Sequence, residues 1–355
     1  MSLTVQPTER AERGAVRLGS LTLGAGPAVV IGGPGADARW IDLRERRGRP
    51  AGGTAADALA EVRACWAGPV LVEPSSADDL ARIAAEADGV VVGAAWTRDL
   101  RLVRAVSRLG LPVVVQRGPA TSLEEWLAVA DYCAADAGDR VVLCEGGGRG
   151  RAGSPAAPPD LALMRGARER SGRPVLAGLG DDPALAAAAV AAGADGLLLS
   201  PDPSRRTTAA AQEAVRIVGA LTRREEPGSV PAARGAIDRV DAALAVLLER
   251  RAELAGTVQR LKPVGGFAGR DLERERRLVA EMARRAPSLG EARLAPIMNA
   301  VIEAGLHLAE ERRAGESRGG AVPPAGERVA DGLRGRAPGA GEGRAGSAPG
   351  PGERA

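Results

Sequence analysis

The chain has 355 residues, of which 45% are hydrophobic and 26% charged, so it is long enough to form two domains with buried cores. A single histidine, His307, excludes metal sites and catalytic triads that need several imidazoles. The three cysteines, Cys65, Cys133 and Cys144, form no CxxC pair and are too scattered for a disulfide framework, which favours a reducing, cytoplasmic compartment. A net charge of +3 gives no reason to expect nucleic acid as a partner.

One basic residue stands out by its type. Of the 48 lysines and arginines, only Lys262 is a lysine. A chain that uses arginine almost everywhere and is rich in alanine and glycine indicates a strong genomic bias. The question is therefore whether Lys262 is retained for a chemical role.

The first part of the chain alternates short apolar runs with longer amphipathic segments. Seven runs of valine and leucine predict strands that are buried on both faces; they begin at Ala28, Pro69, Gly89, Pro112, Arg140, Pro174 and Gly196. This rhythm predicts an α/β fold over residues 14–222, a (β/α)8-type barrel that is one strand short, with a doubly wound sheet as the alternative. No apolar stretch is long enough for a membrane span, so we expect a soluble protein with no membrane partner.

The pattern changes after residue 222. Two prolines and a glycine predict a linker over residues 223–233. Helical periodicity then predicts an all-α domain of three helices over residues 234–312, at Ala236–Leu261, Asp271–Ala286 and Glu291–Arg312. Residues 313–355 are rich in Gly, Pro, Ala, Arg and Glu and are predicted to be a disordered tail.

The first of these helices carries two cations among apolar residues. At 100° per residue, Arg251 and Lys262 fall within an apolar stripe that we expect to face a core; its other members are Ile237, Leu244, Leu248, Ala255 and Val258. A buried, unpaired cation costs several kcal/mol, so both side chains need an anionic partner. Either Asp241 or Glu275 supplies it, or an anionic ligand does.

These residues also carry a family resemblance. The run RGAIDRVDAALAVLLERRAEL, followed by Lys262 and by the DLERE box at 271–275, resembles the all-helical chorismate mutase family at the family's own spacing. The resemblance implies a homodimer formed through the helical domain, in which the long first helix spans both subunits. It also implies chorismate as the substrate, with no metal and no organic cofactor.

The resemblance assigns a role to each charged residue. Arg251 and the partner subunit's Arg234 would clamp the two carboxylates of chorismate, and Lys262 would donate to the ether oxygen. Glu275 would accept a hydrogen bond from the substrate hydroxyl, with the wall of the site supported by Asp271 and Arg274. A Claisen rearrangement has no nucleophile, so catalysis needs a compact bound conformer and stabilisation of charge on the breaking C–O bond. Arginine forks and a lysine point charge meet these two needs.

The last helix departs from the family pattern. The family has a hydroxyl residue there and, four positions later, a Gln or Glu that shares the ether oxygen with the lysine. These substrate-binding positions align with Gly305 and Ala309, and neither side chain can donate a hydrogen bond. By analogy with an oxyanion hole, the loss of one donor costs on the order of 10²- to 10³-fold in rate. His307 is a candidate substitute, although a lone histidine more often serves packing or the surface.

The first domain resembles the smaller bacterial type of DAHP synthase. The resemblance rests on residues 16–37, on residues 109–149 with their RG-x-x-x-T-x-x-EW stretch, and on residues 191–203. Members of that family hold a divalent metal with Cys, His, Glu and Asp. The matching positions here are Gly35, Asp181, Ser200 and Ala210, which do not form such a site.

The phosphate-binding cations of that family are also replaced. Their positions align with Ala95, Gln116 and Gly146, whereas Arg117 and Arg149 are retained. For the retained arginines we favour ion pairing at the barrel mouth over a preserved anion pocket. The barrel is therefore predicted to be a catalytically inactive relative of DAHP synthase.

The sequence thus predicts a chorismate mutase, an isomerase that converts chorismate to prephenate, joined to an inactive DAHP synthase-like barrel. Two alternatives stay open. One is a non-catalytic regulator or assembly partner of shikimate-pathway enzymes, which the residues at 305 and 309 favour. The other is an enzyme of the mutase fold that acts on a chorismate relative.

Overall fold

A computed structural model describes residues 13–47, 53–146, 158–262, 264 and 266–319. They form two compact units that divide within one long helix, after Arg251. The first unit is built around a β-barrel and the second is helical. Among the helices in these residues, none combines the length and the apolar character that crossing a bilayer requires.

A short antiparallel hairpin precedes the barrel. Strand β1, Val16–Leu18, pairs with strand β2, Leu21–Leu23. The hairpin packs its apolar side chains against the inward-facing residues of the barrel strands. The side chain of Leu18 packs against Gly89, which is the first residue of one of the barrel strands. The hairpin therefore fills the amino-terminal end of the barrel interior.

Eight parallel strands close the barrel in the order β10-β3-β4-β5-β6-β7-β8-β9. Nearly every strand residue is buried, because the inward side chains pack against one another and the outward ones pack against helices. The strands are β3 Val29–Gly32, β4 Ala38–Asp42, β5 Val70–Glu73, β6 Gly89–Val92, β7 Val113–Gln116, β8 Val141–Gly146, β9 Val175–Gly180 and β10 Gly196–Leu199.

The prediction of seven strands was wrong, because strand β4 was missed. Its sequence, ARWID, contains two charged residues and gives no apolar run. Strand β4 also follows β3 after only five residues, and the two pair in parallel with Ile31 opposite Ala38. Parallel neighbours normally need a crossover of a dozen residues or more, usually with a helix. The barrel therefore has all eight strands, and the element it lacks is a helix between β3 and β4.

In the part of the chain that the structure describes, eight α-helices follow the barrel strands from β4 onward. Several begin at Ser, Thr or Asp side chains that accept hydrogen bonds from the first turn, as Thr54 and Ser122 do in capping boxes. The helices are α1 Leu43–Arg47, α2 Ala55–Cys65, α3 Leu80–Glu86, α4 Leu100–Ser107, α5 Leu123–Ala137, α6 Leu161–Ser171, α7 Ala186–Ala191 and α8 Arg205–Thr222.

The three helices predicted after the barrel are confirmed. They are α9 Val230–Leu261, α10 Leu272–Arg285 and α11 Gly290–Gly319, with a 3-10 turn at Phe267–Gly269 between α9 and α10. Helix α9 begins inside the predicted linker of residues 223–233. The predicted start of the tail at residue 313 falls inside α11, and residues 320–355 lie outside the described residues.

Candidate functional site

The apolar stripe of α9 lies on the surface of the single chain. Ile237 is 58% exposed, Leu244 49% and Val258 45%. The sequence predicted that this stripe faces a core, and within one chain it does not. A run of exposed aliphatic side chains along one helix is typical of a surface that binds another protein chain.

The ammonium group of Lys262 contacts a backbone carbonyl. Lys262 follows the last residue of α9, its side chain is exposed, and Nζ donates to the carbonyl oxygen of Gly269 at 2.8 Å. Glu275, one of the two predicted carboxylate partners, pairs with a different cation, and Asp241 is exposed. In the single chain Lys262 is therefore not enclosed, and its burial in a dimer stays a prediction.

Asp271 begins helix α10. Its Oδ1 accepts a hydrogen bond from the backbone N–H of Arg274 at 2.9 Å. This bond holds the pKa of Asp271 below its ordinary value, with a smaller contribution from the charge of Lys262. Asp271 therefore acts as a helix cap, and the side chain of Arg274 is exposed one turn later. Their predicted role in the wall of the site is compatible with these positions.

Glu275 is held by an arginine that the sequence did not predict as a site residue. Arg270 donates to both carboxylate oxygens, from Nε to Oε1 at 3.1 Å and from Nη2 to Oε2 at 2.7 Å. The same guanidinium contacts Asn299 and Glu303 on α11. The only signal in the sequence was its position immediately before the DLERE box.

The last helix provides no donor at the two predicted positions. Gly305 and Ala309 are both buried on α11, and neither has a polar side-chain atom. His307 is exposed, and its ring packs against Phe267 with the two centroids 5.0 Å apart. That contact gives His307 a packing role in the single chain.

The two predicted carboxylate-binding arginines lie on α9. Arg234 is exposed near the start of the helix, and Arg251 is partly buried. The resemblance assigns Arg234 to the site of a partner subunit, so a single chain is not expected to bring both arginines to one site.

The residues that match the metal ligands of DAHP synthase do not fit a divalent metal. Ser200 donates its hydroxyl hydrogen to Oδ1 of Asp181, so these two groups satisfy each other. Gly35 has a φ of +85°, a conformation that a cysteine would adopt only with strain. Ala210 is an exposed residue of α8. Within the described residues, no group of three or more His, Cys, Asp or Glu side chains could hold a metal ion.

The retained charges at the barrel mouth pair with each other, as predicted. Arg117 forms a two-pronged ion pair with Glu145, with Nη2 to Oε1 at 2.8 Å, and also donates to the carbonyl oxygen of Thr121. Gln116, at the position of a phosphate-binding lysine, bonds the backbone of Ala94 and Gly146. Arg149 lies outside the described residues. The described groups are therefore committed to internal contacts.

A buried acid at the barrel mouth was also missed. Glu73 ends strand β5, and burial raises its pKa to about 7 despite an ion pair with Arg44 at 3.5 Å. Gly93 makes room for this carboxyl, because a Cβ there would lie 2.1 Å from Oε1 of Glu73. Nearby strand ends line a cavity of about 500 Å³ that includes Trp40, Asp181 and Ser200.

Comparison with known proteins gives two family matches. Residues 54–214 match the model of the DAHP synthetase I family, and residues 233–310 match that of chorismate mutase type II. A curated relative, the phospho-2-dehydro-3-deoxyheptonate aldolase of Thermotoga maritima, is 29% identical over an alignment of 149 residues, and the match covers 38% of this chain. The chain spans 43% of the length of that relative.

Solved structures show the same fold for the barrel. A crystal structure of the DAHP synthase of Thermotoga maritima superposes with a TM-score of 0.51 at 23% identity, covering 61% of this chain and 76% of the other. A truncated form of that enzyme gives the same TM-score at 22% identity and is covered over 96% of its length.

Proposed function

We propose that the helical part, which matches the chorismate mutase type II model over residues 233–310, rearranges chorismate to prephenate. We also propose that the barrel, which matches the DAHP synthetase I model over residues 54–214, has lost synthase activity. The observation that carries the proposal is the match over residues 233–310. That segment contains all four residues proposed to act on the substrate, namely Arg234, Arg251, Lys262 and Glu275.

The reaction requires little more than these groups. Chorismate is a dicarboxylate, and two guanidinium forks that bind its carboxylates favour the compact conformer in which the new C–C bond forms. The ammonium of Lys262 then donates to the ether oxygen, where negative charge grows as the C–O bond breaks. Glu275 accepts a hydrogen bond from the ring hydroxyl. The rearrangement transfers no proton, so no residue is assigned the role of a general acid or a general base.

The proposed active form is a homodimer in which α9 of one subunit packs along the partner. Support comes from the exposed stripe of α9, since a solvent-exposed row of leucine and valine side chains is unfavourable in a monomer. In this arrangement Lys262 is enclosed by the partner, whose Arg234 completes the site. We propose residues 234–312 as the mutase domain and 14–222 as the barrel domain.

The proposed loss of synthase activity rests on the mouth of the barrel. A hydroxyl and a carboxylate that bond each other stand at two of the metal-ligand positions, a glycine with positive φ at the third and an alanine at the fourth. Polar groups such as Gln116 and Arg117 bond the protein itself. A metal and a phosphorylated substrate would find few ligands there.

The first test is an assay of prephenate formation by the full chain and by its Lys262→Ala variant. With Gly305 and Ala309 unable to donate, Lys262 is the main donor to the ether oxygen in the described residues, so its loss should lower kcat by about 10²- to 10³-fold. Lys262→Gln keeps a hydrogen-bond donor for the carbonyl of Gly269 but removes the positive charge. This variant should be nearly as inactive as Lys262→Ala.

The matched control is Arg260→Ala, which removes an exposed cation two residues away that donates to the hydroxyl of Thr257 on its own helix. Its activity should equal that of the unmodified chain, and circular dichroism should show that all variants fold. Equal rates for Lys262→Ala and the unmodified chain would contradict the assignment of the ether-oxygen donor.

A second candidate function is favoured by the residues at 305 and 309. If the missing donors abolish catalysis, the helical part acts as a non-catalytic partner or regulator in the shikimate pathway. An unmodified chain that binds chorismate and forms no prephenate would support this candidate. Turnover of a chorismate relative in the same assay would instead indicate a mutase-fold enzyme with a different ring substituent.

A further inference from the structure

Arg270 lies between two carboxylates on different helices. It is partly buried, and its guanidinium donates to both oxygens of Glu275 on α10. Its remaining contacts are on α11: Nη1 donates to Oε1 of Glu303 at 3.3 Å, and Nη2 donates to Oδ1 of Asn299 at 2.7 Å. Asn299 Nδ2 donates in turn to Oε1 of Glu303 at 2.9 Å. One guanidinium thus organises both acids.

The charges of this cluster do not cancel. One guanidinium faces two carboxylates, so the group carries one excess negative charge. Both carboxylates contact the same guanidinium, so they lie close enough to repel each other if it is removed. The paired carboxylates raise the pKa of Arg270 above its ordinary value, with Glu275 making the largest contribution. Arg270 therefore remains charged and holds the two acids together.

The two-pronged contact with Arg270 also fixes the orientation of the Glu275 carboxylate. A glutamate side chain has several rotatable bonds, and an exposed one samples many rotamers. A two-pronged contact with a planar guanidinium selects one orientation, in which Arg270 occupies one side of each carboxylate oxygen. The remaining lone pairs are free to accept another hydrogen bond, because an ionised carboxylate has about four acceptor sites.

We propose that Arg270 is a positioning residue for the mutase reaction: it orients Glu275 to accept the substrate hydroxyl and ties that carboxylate to α11 through Asn299 and Glu303. This inference rests on the proposed function and adds to it a residue that does not touch the substrate. It predicts that Arg270 acts on the rate only through Glu275.

The test is a double-mutant cycle in the full chain. Arg270→Ala should lower kcat/KM roughly 10²-fold, since a misplaced catalytic group costs about that much. In a Glu275→Ala background, the same substitution should cause no further loss, because nothing is left to position. Arg270→Lys keeps the charge without the fork and should recover only part of the activity.

Chemical rescue adds a readout that a purely structural role would not change. Added guanidinium chloride at low, non-denaturing concentration should restore activity to Arg270→Ala and have no such effect on Glu275→Ala. The matched control is Arg277→Ala, which breaks an exposed Arg277–Glu273 pair on the same helix and should leave kcat/KM unchanged.

The outcomes separate the two claims. If the unmodified chain forms no prephenate, the proposed function fails and this role fails with it. If the unmodified chain is active and Arg270→Ala is equally active, only the positioning role is overturned. Additive losses from Arg270→Ala and Glu275→Ala would also overturn it, because they would show that Arg270 acts independently of Glu275.

Discussion

The barrel and helix α9 place similar side chains in opposite environments. In the barrel, Leu176 and Leu198 are at most 1% exposed, whereas Leu244 and Leu248 on α9 are 49% and 37% exposed. A closed barrel buries both faces of its strands without help from another chain. A long helix with an apolar stripe needs a second surface. The barrel core is thus complete within one chain, and the apolar face of α9 is not.

The charged residues differ in the same way. At the barrel mouth, Arg117 pairs with Glu145 and Ser200 bonds Asp181, so polar groups are satisfied internally. In the helical part, Lys262 is exposed and Arg234 lies on the surface. The barrel core is fully buried, although the described residues at its mouth provide no group of three or more side chains that could hold a metal ion. Packing and site chemistry are therefore separable in this fold, and each can be tested alone.

The largest expected effect comes from mixing two inactive variants. Arg234→Ala and Lys262→Ala should each reduce the rate by orders of magnitude. If each site takes Arg234 from the partner subunit, a mixed dimer contains one site with both residues intact. Refolding the two variants together should then restore about a quarter of the activity of the unmodified chain, because half of randomly formed dimers are mixed and each has one working site.

The control for this mixture is Lys262→Ala refolded with Arg251→Ala. Both residues are assigned to the same chain's contribution, so each site of the mixed dimer lacks one of them and no activity should return. Recovery in this control, or none in the first mixture, would contradict a site shared between subunits and would leave α9 without its proposed partner.

The second prediction compares matched leucines. Leu176→Ala in the barrel interior should lower the free energy of unfolding by about 2–5 kcal/mol at any protein concentration. Leu244→Ala should cost less than about 1 kcal/mol in dilute solution, where the residue is exposed, and more as the concentration rises and the dimer forms. Urea unfolding at two protein concentrations measures both. A Leu244→Ala effect independent of concentration would argue against a dimer through this stripe.

Much of the fold could be predicted from the sequence. Buried parallel strands give continuous apolar runs, and seven of the eight were found on that basis. Strand β4 was missed because Arg39 and Asp42 interrupt its apolar character and no helix separates it from β3. A continuous apolar run marks a strand only where both of its faces pack against apolar residues, and the charged residues of β4 break that run.

The candidate site was less predictable. The family pattern indicated Lys262, Asp271 and Glu275, but not Arg270, which precedes the box and gains its meaning from side chains on α11 that are 29 and 33 residues away. The raised pKa of Glu73 depends on burial between strands. Sequence patterns report local periodicity, so contacts between distant elements become visible only in the structure.

An effect confined to a narrow range of pH tests the packing of the barrel mouth through Glu73. Burial raises its pKa to about 7 from the ordinary value of 4.5. Between these values the unfolded chain releases the proton while the folded chain retains it, so this group makes the free energy of unfolding fall as pH rises. The full loss is on the order of 3 kcal/mol and is complete above the folded pKa.

Glu73→Gln replaces the acid with a neutral group of the same shape and should remove this loss. Its stability relative to the unmodified chain should be similar near pH 4.5 and should increase between pH 5 and pH 7, measured by urea unfolding at each pH. Glu169→Gln, which removes a half-exposed carboxylate, is the control and should show little such trend. If both variants follow the unmodified chain, the Glu73 carboxyl is hydrated. The mouth would then be open to water and not packed like the barrel core beneath it.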